Sequence, residues 1–230
     1  MAVLAGFANI GVLERLDNGA DASRTTSTIL AGFDKFRLAI IGLFLVAILD
    51  VIVAWALWAF FDRIQHVVAV LAACCRGIYA VIFVVAITQL AIAARLLGDQ
   101  QQRGLTDRGL QEQVAAKIQQ FNDIWSVSLG LFGLHLLLIG WLAFTSGLVP
   151  RFIGVLVGIA GAGYLIDSIA GLVLAPDRFM LATFTFVGEV LLMVWLLIFA
   201  VRGPTQSHDH RQDDLRAAAS SGSSGLGSRS

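Results

Sequence analysis

Five ionisable side chains stand inside stretches too apolar to solvate them: Asp50, Arg76, His135, Asp167 and Glu189. Carboxylates and an imidazole can bind a proton or a cation, and a guanidinium can hold an anion or neutralise a carboxylate. By the lower estimate, a charge at the centre of a membrane helix costs about 2.5–3.5 kcal/mol, so such groups must face one another or a wet cavity. Counted from the tight turn that begins at Asp62 and from the middle of the Thr145–Arg151 elbow, Asp50 and His135 lie about twelve residues deep and Arg76 about ten. Glu189 lies about thirteen from Arg202, and at about 1.5 Å per residue the four fall within ~5 Å of one depth. Asp167 sits a turn or more nearer the opposite face. The spacing predicts a midplane polar cluster, with Asp50 and Arg76 paired across neighbouring helices. That cluster is either a site for a ligand, ion or proton, or a set of contacts that pins the helices together.

Other chemistries lack their residues. Lys35 and Lys117 are the only lysines and both lie in polar segments, so no intramembrane lysine can form a Schiff base. GxSxG, HExxH and a glycine-rich phosphate loop are absent, and Gly161-Ala162-Gly163 lies inside a span, where it serves helix contact. No metal and no cofactor is expected. Cys74 and Cys75 are adjacent in an apolar run, poorly placed for a structural disulfide and expected to act as small hydrophobes.

The elements that must position these groups follow from composition. A hydrophobic content of 57% with 14% charged residues puts the chain in the membrane class. A net charge of zero gives no electrostatic footprint for nucleic acid. The expected fold is all-α, a polytopic transmembrane helical bundle with five spans at about 38–61, 67–94, 124–144, 152–174 and 179–201. Residues 1–37 read as an N-terminal interfacial or external segment. Within it Met1–Leu13 is about half the ~20 residues a span needs, and Asp21 can cap a short helix that ends near Gly32. Met1–Leu13 has no basic start and leads into Glu14-Arg15, so no signal peptide is expected.

In the polar loop 99–121, Leu110, Val114, Ile118 and Phe121 share one helical face, which predicts an interfacial amphipathic helix leading into the third span. Trp55, Trp58, Trp125 and Trp141 lie toward span ends, where amphipathic rings belong. Gly154, Gly158 and Ala162 form a small-xxx-small ladder that lets another helix approach, within the chain or in a homodimer. Residues 203–230 read as a disordered polar tail, Ser/Gly-rich at its end.

The third and fourth spans form a hairpin about the elbow Thr145–Arg151, and this hairpin resembles a known family. FGLHLLLIG at Phe132–Gly140, SGLVPR at Ser146–Arg151, and GVL followed by AGAGYLIDS within Gly154–Ser168 are similar to bacterial multi-pass membrane proteins of the domain of unknown function 4386 family. Weaker similarity runs through Ala20–Arg37, the Asp50 span and Ala73–Arg76. The resemblance implies six spans with a basic N-terminus, Met1–Leu13 being the tail of the first, and a cytoplasmic C-terminus. Lys and Arg near the span ends instead weakly favour a cytoplasmic N-terminus. The resemblance implies no activity.

Together these readings describe a multi-pass protein of the inner (plasma) membrane, with the lipid bilayer as its surroundings. The leading expectation is binding or passage of a small solute, ion or proton at the polar cluster. The alternative is a non-catalytic accessory subunit that docks a membrane-protein partner, or its own copy, through the small-residue face. An intramembrane enzyme comes third.

Overall fold

Backbone groups in hydrocarbon have no water to bond, so apolar segments of this length satisfy them internally as helix. The structure is a computed structural model and describes residues 22–103, 108–173 and 190–198. Every regular element among the described residues is α-helical, as the composition predicts. In chain order they are α1 (Ala22–Ala31), α2 (Phe33–Phe61), α3 (His66–Arg103), α4 (Arg108–Ser146) and α5 (Arg151–Val173). The helices α2 to α5 are long and apolar enough to cross a membrane.

Residues up to Leu192 form one compact unit and those from Met193 another. Residues 190–198 are helical. They fall inside the fifth expected span, whose remainder lies outside the described residues together with Glu189, Met1–Leu13, Asp21 and the tail 203–230.

Sharp reversals build the bundle. α1 stops where Gly32 donates its N–H to the Ile29 carbonyl at 3.0 Å, and α2 begins immediately after it. Between α2 and α3 the chain turns within Asp62–Gln65, with Asp62 N–H on Trp58 O at 2.8 Å and Ile64 N–H on Phe61 O at 2.9 Å. Such a turn leaves α2 and α3 no arrangement but an antiparallel pair.

At the next elbow Gly147 takes φ 66°, the left-handed position that closes helix C-termini. Ser146 Oγ donates to Ala143 O at 2.9 Å and accepts the N–H of Leu148 at 3.2 Å. Pro150 cannot prolong α4; its carbonyl instead accepts the Ile153 N–H at 2.9 Å, inside the first turn of α5.

The hairpin α4–α5 is packed backbone to backbone. A Cβ on Gly133 would come within 2.7 Å of Gly161 O, and one on Gly161 within 2.6 Å of Gly133 O. One turn pair along, a Cβ on Gly140 would lie 2.8 Å from Gly154 O, and one on Gly154 2.8 Å from Phe144 N. Of the sequence ladder Gly154, Gly158 and Ala162, the backbones of Gly154 and Gly158 both lie against Gly140, but the positions that exclude a Cβ are Gly154 and Gly161, seven residues apart, against Gly140 and Gly133. A Cβ on Gly158 would meet nothing within 4 Å. The physical reason is rotation: the partner's two glycines select the seven-residue stripe of α5, whereas a spacing of four drifts off that seam.

The amphipathic segment also differs from expectation. α3 runs through Arg103 and α4 is unbroken from Arg108 to Ser146, so no separate interfacial helix precedes the third span. Val114, Ile118 and Phe121 are buried within protein. At 39 residues α4 is about 59 Å long, well beyond a ~30 Å hydrocarbon layer. Its surplus carries this apolar face, and α1 packs against α4 with Ile29 and Thr26 buried. Trp125 likewise packs inside, against Phe121 at 5.6 Å and Phe83 at 5.9 Å between ring centroids. Around the outside, Leu38, Val51, Trp55, Val81, Phe152 and Leu172 are exposed, an apolar exterior suited to lipid.

Candidate functional site

α2, α3 and α4 each bring one of the expected side chains to a single buried point. Asp50 is 2% exposed, Arg76 5% and His135 1%. Arg76 Nη2 donates to Asp50 Oδ1 at 2.6 Å. Arg76 Nη1 stands 3.1 Å from His135 Nε2, and His135 Nδ1 stands 2.8 Å from the Ala72 carbonyl. A carbonyl oxygen only accepts, so Nδ1 carries the proton, and Nε2 must then accept from the guanidinium. His135 is therefore a neutral imidazole, oriented by the α3 backbone one turn before Arg76. The cluster contains one cation and one anion and is electrically closed.

Phe132 completes it. Its ring lies under the guanidinium, 5.1 Å from Arg76 Cζ to the centroid, and Arg76 is thereby bound on its flat face as well as its edge. Phe132 precedes His135 by one helical step on the same face of α4. Tyr79 from α3 at 5.1 Å and Tyr164 from α5 at 5.4 Å, edge-on, hold the ring in turn. Four helices thus meet at one aromatic-backed ion pair. Phe132, Tyr79 and Tyr164 are not separable by sequence from lipid-facing aromatics; the only signal was the three-residue spacing of Phe132 from His135.

Asp167, read from the sequence as lying nearer the opposite face, stands apart from the cluster. Asp167 is half-buried on α5, next to Ser168, whose hydroxyl donates to Val127 O at 3.2 Å. His135, by contrast, lies near the level of Gly161, which touches Leu136 and Leu137. Asp167 is therefore about 9 Å farther along the axis of α5. Glu189 lies outside the described residues. Among the described residues no three His, Cys, Asp or Glu side chains gather as a metal set.

A cleft of about 570 Å³ lies around Arg37 and Arg95, between α2 and α3, away from the cluster. One polar atom of the cluster has no acceptor, Arg76 Nε, which is buried.

The family described as domain of unknown function (DUF4386) matches residues 1–200. An uncharacterized protein of the archaeon Archaeoglobus fulgidus is 31% identical over 160 residues, 70% of this chain and 82% of the relative. No solved structure matches.

Proposed function

This chain belongs to the family of domain of unknown function 4386, and we propose that it is a non-catalytic, multi-pass protein of the inner (plasma) membrane whose buried cluster locks three spans into one rigid body. The observation that carries this reading is the closure of the Asp50–Arg76–His135 contact. The carboxylate is paired at 2.6 Å, the imidazole is bonded at both nitrogens, and none of the three is more than 5% exposed. A pathway for a solute needs a route to water, whereas a lock needs only satisfied partners. Such a body serves as an accessory or scaffold unit in the bilayer.

A second reading, binding of a small ion or a proton at the cluster, rests on one observation. The Nε–H of Arg76 is buried without an acceptor and has room in its bonding for a water or small anion.

Full-length protein in sealed liposomes loaded with a pH-sensitive dye separates the two. The lock predicts no proton movement above protein-free liposomes under an imposed potential, for the wild type and for Asp50→Asn alike. A proton flux present in the wild type and lost in Asp50→Asn would overturn it in favour of the second reading.

A further inference from the structure

The cleft between α2 and α3 has an order of chemistry along its depth. On α2, Ile40 and Ile41 lie about one helical turn nearer the bundle centre than Arg37, and on α3 Ala91 lies one turn nearer than Arg95, with Ala94 beside Arg95. One helical turn past Arg95 comes Asp99. Neither arginine has an ion-pair or hydrogen-bond partner among the described residues; Arg37 only overlies the Phe33 ring at 5.9 Å. The cleft holds about 570 Å³.

Depth identifies what such a cleft meets. Along α2, Arg37 stands about 38 Å from Asp62, and along α3, Arg95 stands about 44 Å from His66, at ~1.5 Å per residue. A hydrocarbon core is about 30 Å thick, and about 40–45 Å with its headgroup layers. With the Asp62–His66 turn at one surface, both arginines fall in the headgroup layer of the other, and Ile40 and Ile41, about 32–33 Å from Asp62, lie at the hydrocarbon edge.

We propose that this cleft binds one phospholipid molecule, its phosphate held between Arg37 and Arg95 and an acyl chain lying against Ile40, Ile41, Ala91 and Ala94. Two guanidiniums without carboxylate partners complement a phosphodiester, which each can bind through two N–H donors. The apolar wall on the hydrocarbon side rejects a free anion as the best fit and selects an anion with a tail. Asp99, outward of the phosphate, faces the headgroup substituent, where it disfavours a second anionic group and suits an ammonium. The proposal does not depend on the role of the Asp50 cluster, which lies about 20 Å deeper along α2.

Native mass spectrometry of the full chain, delipidated in detergent, tests it with added phosphatidylethanolamine, phosphatidylglycerol or inorganic phosphate. One lipid per chain is expected to be retained at low lipid excess, and inorganic phosphate is not. The double variant Arg37→Gln/Arg95→Gln should lower lipid occupancy by about tenfold or more, the scale of losing charge-assisted hydrogen bonds. Ile40→Trp, which leaves both charges and fills the apolar wall, should lower it as well. Arg63→Gln, at the opposite end of the same helices, should leave it unchanged. Asp99→Asn should raise retention of phosphatidylglycerol relative to phosphatidylethanolamine. Unchanged occupancy in the double arginine variant would overturn the site. So would equal loss in Arg63→Gln, or retention of inorganic phosphate in place of lipid.

Discussion

Arg76 is the residue on which the interior depends, because it alone touches all of its neighbours: Asp50 on α2, His135 and Phe132 on α4. Truncating one member of a buried ion pair leaves the other charge desolvated, at about 3–5 kcal/mol, whereas replacing both by apolar groups of similar size is often neutral. Arg76→Met should therefore lower the thermal unfolding temperature in detergent far more than the double variant Asp50→Leu/Arg76→Met, which should recover most of the loss. A double-mutant cycle read by thermal unfolding measures this coupling, and simple additivity of the two single effects would show that the pair does not act as a lock. The grouping of Asp50, Arg76 and His135 was legible because lipid leaves buried charges few options and helix rise converts residue number into depth. Phe132 was not legible: an apolar run offers many aromatics, and only the rotation of α4 decides which ring lies under the guanidinium.

At the scale of elements, the hairpin α4–α5 shows what the family-like motif encodes. Its glycines at 133, 140, 154 and 161 are the points where two backbones touch, and Ser146, Gly147 and Pro150 fold the chain so that they meet. Gly133→Ala or Gly161→Ala puts a methyl within 2.7 Å of a backbone oxygen that belongs to a helix and cannot swing aside. The helices must separate, which predicts destabilisation of about 1–3 kcal/mol.

Gly158→Ala meets nothing within 4 Å and gains helix propensity, so it should be neutral or stabilising by up to about 1 kcal/mol. Thermal unfolding of the three variants side by side checks the contrast, and a loss in Gly158→Ala equal to the others would refute the seven-residue seam. Sequence located the small residues but not their phase, since spacings of four and seven both start at Gly154. The amphipathic face Leu110–Phe121 was likewise visible as a face. Its cover was not, because periodicity records an apolar side without recording whether α1 or lipid lies against it.

For the whole molecule, the bundle buries Asp50, Arg76 and His135 in its interior while Leu38, Val51, Val81, Phe152 and Leu172 lie outside. Span lengths and the short turns made the bundle legible from composition, since a crossing of ~30 Å fixes how much apolar chain each helix needs. What composition could not supply was how far α3 and α4 project beyond that layer. Crossing of a membrane by all four of α2 to α5, each long and apolar enough for it, has a consequence for sidedness that needs no knowledge of which face is cytoplasmic. The turn at Asp62–Gln65 and the elbow at Gly147–Pro150 must emerge on one side, and the start of α4 on the other. In a background with Cys74 and Cys75 replaced by Ala, single cysteines at Arg63 and Leu148 should react with a membrane-impermeant maleimide from the same side of sealed vesicles. A cysteine at Arg108 should react only from the opposite side, or after the vesicles are opened. All three positions are exposed in the fold, so failure to react reports the bilayer and not burial. Labelling of Arg63→Cys and Arg108→Cys from one face would mean that α3 does not cross.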